Sequence, residues 1–395
     1  MGKKRNVINV SVAISNGLVK IKADEYTIEL VVHSSIEPNK VRLDFAAWFI
    51  LPIAMRCNAD ILIHGAGTQE TTKNANLISS IWEAWMPDHF NSINVFFTEE
   101  CSVDDFKKDT GSLFFYSGGA DSTYSLLKLA EENKSQSLLT VQGMDYTYKD
   151  EDRFNKLIEK TDRFAKEFGS QRLYIKTNAY SIYDKFKINT KSSHISHIFA
   201  LTGSAFMFSE HFKNIIISSD LRLDQQFLVH PWGSNSATNK FFNDGSTSLQ
   251  TVDDDVTRSD KMKKLQSSEV ALSSLSFCID YKSRPENCGV CSKCMRTKLM
   301  FLAATGRVPK IFNSIKIDAT LIEKINLSKK SEVASFIDLY NCAKNNEMLD
   351  KMPYLIQTFE ELKSNVKPTT TRNKNSKTYR KILDLFRFHP KKTKN

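Results

Sequence analysis

Apolar and polar residues alternate over Val7–Val12 and again over Tyr26–Val32, the period of strands buried on one face, and Asn16-Gly17 supplies a turn after the first run. The period then lengthens. Arg42 to Arg56 is almost continuously apolar and predicts a buried helix; Ala59–His64 predicts a strand, Asn74–Trp85 a helix and Ile93–Phe97 another strand. Together these elements predict an α+β N-terminal domain over residues 1–108.

From Leu113 onward, short apolar runs alternate with helix-period stretches. Strands are expected at Leu113–Tyr116, Leu138–Val141, Leu173–Lys176 and Ile215–Ser218, with helices near 122–134, 150–168 and 193–210. Strands separated by helices require parallel crossovers, so the expected fold class is α/β with a doubly wound parallel sheet over residues 109–310. Such sheets bind ligands beyond the carboxyl ends of their strands. Here that edge carries Ser117–Asp121, Gln142–Asp145, Thr177–Asn178 and Ser219–Asp220. Residues 311–365 read as a C-terminal helical segment and 366–395 as a basic tail poor in apolar residues.

The first strand of the parallel set runs directly into Ser117-Gly118-Gly119-Ala120-Asp121-Ser122-Thr123, and an amphipathic pattern follows at once. Two glycines let the backbone approach an anion. Ser117, Ser122 and Thr123 add hydroxyls, and the first N–H groups of the new helix point at whatever the loop holds. The spacing of a Walker A loop is absent, and no lysine sits inside the turn.

Four of the seven cysteines fall within 17 residues as Cys278-x9-Cys288-x2-Cys291-x2-Cys294. Thiolates so spaced can surround one tetrahedral Zn²⁺, with Gly289 in the knuckle and Lys293 and Arg296 offsetting charge; an iron–sulfur cluster is the alternative. Four protein ligands leave no open position, which makes the expected zinc structural. Cys57, Cys101 and Cys342 are dispersed beside apolar stretches and are expected to be buried or incidental thiols.

Composition narrows the picture further. The 395 residues are 41% hydrophobic, enough for ordinary cores, and the longest apolar stretch, Phe45–Met55, is too short to span a bilayer. No uninterrupted apolar h-region follows the basic Met1–Arg5, so a reducing cytoplasm is the expected compartment, and no membrane partner is expected. The net charge of +10 is local: Lys363 to Asn395 holds 11 Lys and Arg against the single acid Asp384, leaving the remainder neutral. This tail, in which Tyr379–Phe388 has the pattern of a short amphipathic helix, is a candidate contact for nucleic acid or an acidic protein and equally reads as a solvated end.

The glycine loop followed by Cys-x9-Cys-Gly-x-Cys-x-Lys-Cys-x-Arg resembles the QueC-like (7-cyano-7-deazaguanine synthase-like) PP-loop ATP pyrophosphatases, over residues 112–305. The resemblance implies a PP-loop (HUP-like) fold and an AMP-forming ligase. Its cofactors would be ATP, Mg²⁺ and structural Zn²⁺, and its substrate a small deazapurine-like base whose carboxylate or amide is adenylated to give an amide or nitrile. It assigns Ser117, Gly118, Gly119, Ala120, Asp121, Ser122 and Thr123 to the ATP loop. Gln142, Gly143, Met144 and Asp145 fall on the adenosine side, Lys261 on a phosphate-facing segment, and Cys278, Cys288, Cys291 and Cys294 on zinc. Catalytic roles then fall to Ser117, Asp121, Ser122 and Lys261, with Asp121 the first candidate for organising Mg²⁺ and Asp145 or Asp220 next. QueC-like proteins also occur in bacterial anti-phage clusters, so a partner protein or RNA is an alternative acceptor, a non-catalytic ATP-binding scaffold another reading, and a second copy of the chain a further candidate partner.

Four more features have two readings. His230-Pro231-Trp232-Gly233-Ser234-Asn235 has the groups to cradle a planar base or to form a rigid packed loop. His194 and His197, at i and i+3, read as a helix-start pair rather than a metal site. Trp82 and Trp85 read as core anchors, and Asp253-Asp254-Asp255 as a solvated acidic turn.

Overall fold

The alternation near the N-terminus becomes an antiparallel meander of β1 (Asn6–Ser15), β2 (Leu18–Ala23) and β3 (Tyr26–His33), which buries Val10, Val19, Ile21, Ile28 and Leu30 completely. The computed structural model describes residues 5–102, 111–190, 194–317 and 327–365. After the meander come α1 (Asp44–Cys57), β4 (Ala59–Gly67), α2 (Gln69–Trp85) and β5 (Val95–Glu100). Twelve of the fourteen residues of α1 are buried, as its nearly unbroken apolar sequence requires.

The second half alternates as expected: β6 (Ser112–Phe115), α3 (Ala120–Glu131), β7 (Gln136–Gln142), α4 (Glu151–Phe168), β8 (Gly169–Thr177), α5 (Ala179–Lys185), α6 (Ser196–Phe206) and β9 (Asn214–Ser218). Then follow α7 (Leu223–Val229), the single turn α8 (Ser236–Asn239), β10 (Ser248–Val252), α9 (Arg258–Gln266), α10 (Glu269–Ser274), α11 (Ser292–Thr305) and α12 (Lys330–Asn345). A separate unit, Leu349–Asn395, contributes a short 3₁₀ turn, Leu349–Lys351, and α13 (Pro353–Asn365). The expected tail, 366–395, with its candidate helix Tyr379–Phe388, lies outside the described residues.

The strands form one sheet in the order β10-β9-β6-β7-β8-β3-β2-β1-β4-β5. β10, β9, β6, β7 and β8 are all parallel, as are β1, β4 and β5, so the protein is α/β with a large, mostly parallel sheet. The strands of residues 1–108 and those of 109–310 thus belong to one sheet, joined where β3 pairs antiparallel with β8 from Leu30↔Thr177 to His33↔Tyr174. Asn178 secures this seam by accepting from Glu29 N at 2.9 Å and donating to Thr27 O at 3.2 Å.

A buried ion cluster ties the two halves together as well. Arg42 Nε donates to Asp44 Oδ2 at 3.0 Å, and Nη2 donates to Asp244, in the loop before β10. Asp44 also accepts from Thr68 N and Oγ1, at 2.9 and 2.8 Å, holding the start of α1 against the cap of α2. Trp82 is buried against Phe90, bearing out its reading as a core anchor.

Consecutive parallel strands run outward from β6 through β7 to β8, and the chain then returns to the other side of β6 as β9. The topological switch point therefore lies between β6 and β9, where a doubly wound sheet opens a crevice at its carboxyl edge. Among the described residues, no helix is long and apolar enough to cross a membrane.

Candidate functional site

The loop at the end of β6 is a tight structure built on Gly118. Its φ of 72° is left-handed, and a Cβ there would sit 2.7 Å from Thr161 Cγ2 on α4, so a side chain is excluded twice over. Gly118 O accepts from Ser276 N at 2.8 Å, fixing the loop to the segment that leads to Cys278. Ser117 and Ser122 face each other, hydroxyl to hydroxyl, at 3.3 Å, and Gly119 N donates to Ser117 Oγ at 3.3 Å. α3 begins at Ala120 with Gly119 at its cap position and no side-chain cap. Thr123 is fully buried, so its hydroxyl is withdrawn from the loop surface.

Asp121 lies in the first turn of α3, and its carboxylate is turned away from capping. Oδ2 accepts from Arg258 Nη2 at 2.7 Å, and Oδ1 from Arg258 Nε at 3.3 Å and Lys261 Nζ at 3.2 Å. Both cations come from α9. Thr257 caps that helix by accepting from Asp260 N, and Ser259 donates through both N and Oγ to Asp338 of α12, at 3.0 Å each. Lys261 is 1% exposed, and its second partner is Ser219 O at 2.5 Å, in the loop after β9. Burial opposes ionisation of Asp121, but Arg258 and then Lys261 outweigh it and hold the carboxyl below its ordinary range.

Asp220, next to Ser219, has the opposite balance. Burial pushes its carboxyl up; Arg258 opposes that shift and the charge of Asp121 reinforces it. Trp232 Nε1 donates to Asp220 Oδ2 at 3.1 Å, while Oδ1 is buried with no hydrogen-bond partner among the described residues. The carboxyl edge of β6 and β9 therefore holds two carboxyls whose proton affinities are driven apart, one neutralised by two cations and one carrying an orphaned oxygen. β6 and β9 are neighbours in the sheet, which is why the charge of Asp121 acts on Asp220.

The segment Gln142-Gly143-Met144-Asp145 sits at the same carboxyl edge, on β7. Gln142 Nε2 donates to Thr147 O at 2.9 Å and Gly143 N to Tyr146 O at 2.8 Å, closing the turn on itself. Asp145 is exposed and lies 3.6 Å from Arg284 Nη2, in the stretch between Cys278 and Cys288.

The sulfur atoms of Cys278, Cys288, Cys291 and Cys294 all lie within 4.8 Å of one another, with Cys278–Cys291 at 3.8 Å and Cys288–Cys294 at 3.9 Å. Four thiolates bonded at about 2.3 Å to one tetrahedral ion are about 3.8 Å apart, so the donor set fits a single metal such as zinc. Val290 N and Cys291 N point at Cys288 Sγ, at 3.4 and 3.3 Å, and Cys294 N points at Cys291 Sγ at 3.4 Å. Gly289, at φ 78°, makes this knuckle possible; a Cβ there would overlap Ser314 O at 2.1 Å. Arg296, expected to offset the cluster's charge, instead pairs with Glu332 at 2.6 Å, and the buried Lys298 donates to Gly289 O at 2.6 Å. Of the dispersed cysteines Cys342 is buried, whereas Cys57 is exposed because it ends α1.

Arg258 was not singled out from the sequence as a site residue. Its signal was present, because it precedes Lys261 by three positions and so shares its helix face. Asp253, in the acidic run, pairs with Lys128 at 2.7 Å rather than standing free. No family model, curated protein or solved structure matches the chain.

Proposed function

We propose that this chain is a QueC-like, AMP-forming ligase that cleaves ATP between its α- and β-phosphates and adenylates a carboxylate or amide on a small deazapurine-like base. The observation that carries this reading is the meeting of Asp121, Arg258 and Lys261 beside an uncapped helix N-terminus at the switch point of the parallel strands.

In this reading the loop backbone and the hydroxyls of Ser117 and Ser122 bind phosphate oxygens. The substrate oxygen attacks the α-phosphorus, the bond to the bridging oxygen breaks, and pyrophosphate leaves with the electron pair. Arg258 and Lys261 are already oriented by Asp121 and stabilise the charge that develops on those oxygens without reorganising. Ammonia then displaces AMP from the acyl carbon. The orphaned Oδ1 of Asp220 would hold Mg²⁺, whose contribution would be to neutralise phosphate charge, whereas Asp121, already engaged by Arg258 and Lys261, would orient those two cations. The four cysteines leave a bound zinc no open position, so it would hold the 276–294 segment against Gly118 and take no part in the chemistry.

The test is incubation of the purified chain with ATP, Mg²⁺, ammonium and 7-carboxy-7-deazaguanine, followed by mass spectrometry of the base. Gain of the amide or nitrile mass is expected; recovery of unmodified base under saturating ATP would reject this acceptor.

A further inference from the structure

On the far side of Trp232 from Asp220, three side chains from separate positions form a continuous hydrogen-bonded chain. Tyr180, in the first turn of α5, has its hydroxyl 2.8 Å from His194 Nε2 and 3.4 Å from its Nδ1, and His194 Nδ1 lies 3.0 Å from His197 Nδ1. The two imidazole planes are inclined by 25° with centroids 5.0 Å apart, which sets the rings edge to edge through their Nδ1 atoms. Trp232, whose Nε1 holds Asp220, has its ring 6.2 and 5.9 Å from them, so one residue touches both the nucleotide edge and this pair. Gly233 N donates to His194 O at 3.0 Å, fixing the Trp232 loop to the pair. The helix starts only at Ser196, so His194 precedes it and is free to turn its ring toward His197. Among the described residues no third ligand makes this pair part of a metal-ligating group.

We propose that Tyr180, His194 and His197 form a proton relay that receives the proton released when a nitrogen nucleophile, ammonia or a primary amine, attacks the acyl adenylate. This inference rests on the adenylation reading above. A hydrogen bond between two Nδ1 atoms requires one ring to carry the proton and the other to lack it. With the Tyr180 hydroxyl donating to His194 Nε2, His194 Nδ1–H donates to His197 Nδ1. The nitrogen–carbon bond forms, the acyl carbon–oxygen bond breaks and AMP leaves with the electron pair. The proton shed by nitrogen passes to the Tyr180 oxygen as the tyrosine's own proton moves to His194 Nε2, and neutral His197, accepting from His194 Nδ1–H, stabilises the imidazolium that results. Desolvation lowers the proton affinity of both histidines below the ordinary range, that of the partly solvent-exposed His194 and that of His197 to about 3, which favours the neutral, accepting form a relay needs. The charges that act on His194 are the carboxylates of Asp145 and Asp184, which partly offset burial; His197 responds to His194. Burial pushes Tyr180 up, keeping its hydroxyl protonated as a relay requires.

Two half-reactions separate the relay from adenylation: ATP–pyrophosphate exchange supported by 7-carboxy-7-deazaguanine, and amide formation on adding ammonium chloride. In His194→Gln and Tyr180→Phe, checked for wild-type melting, exchange should stay within about twofold. Amide formation should fall at least about 10²-fold in His194→Gln and lose its decline at acid pH. Unchanged amide formation with an unchanged pH profile in both variants would overturn the relay, as would parallel loss of both half-reactions in His194→Gln, which would mark a structural role. Absence of exchange in the wild-type protein would instead reject the adenylation reading, and the relay with it.

Discussion

Lys261 Nζ lies 3.2 Å from Asp121 Oδ1 across 140 residues of sequence, and the same ammonium bonds Ser219 O. One buried cation thus joins the first turn of α3, after β6, to the loop after the neighbouring β9. Lys261→Met would keep the side chain's bulk but leave Ser219 O without its donor and Asp121 with Arg258 alone. Loss of a charged hydrogen bond is expected to destabilise the fold by about 1–3 kcal/mol, measured by urea unfolding. Pyrophosphate release should fall by at least about 10²-fold, much more than the stability change accounts for.

Metal analysis of the purified chain should return one zinc per chain and no multi-iron cluster, since the four sulfurs sit at single-ion spacing. Cys294→Ser, which removes the fully buried ligand, should lose the metal and lower the melting temperature. Iron in a stoichiometry above one would reverse the assignment.

His197 makes stability depend on pH in a defined direction. Its folded value, lowered to about 3, lies below the ordinary unfolded value near 6.5, so between the two the unfolded chain binds the extra proton. This contribution is therefore complete above about pH 6.5 and is lost progressively as the pH falls toward 3. In His197→Gln, melting temperatures between pH 7 and pH 4.5 should decline less steeply than in the wild type.

Arg42 sits with Asp44 and Asp244 at full burial. Arg42→Met would strand two buried carboxylates and should cost about 3–5 kcal/mol in denaturant unfolding. Because the β3–β8 seam makes one sheet of both halves, hydrogen exchange should show β2 and β7 losing protection in the same event.

Much of this arrangement was legible beforehand, for reasons that differ by element. The β6 strand, its glycine loop and α3 are contiguous, and contiguous signals need no knowledge of pairing. The cysteine cluster was legible through its spacing. By contrast, alternation in Tyr26–Val32 shows that one face is buried but not which strand lies beside it, so the seam with β8 was hidden and 1–108 read as a separate domain. β10 escaped notice because Ser248–Val252 is five residues long and half polar, an edge strand recognisable only from its parallel partner β9. The Asp121–Arg258 and Asp220–Trp232 contacts join distant segments, and no local pattern encodes them.

The central claim concerns which bond of ATP is broken. Nucleotide products should be quantified by ion-exchange chromatography with 7-carboxy-7-deazaguanine present, in wild-type protein and in Asp121→Asn. The account predicts AMP and pyrophosphate in equal amounts from the wild type and loss of both in the variant. ADP and inorganic phosphate, or AMP formation that Asp121→Asn leaves unchanged, would contradict it.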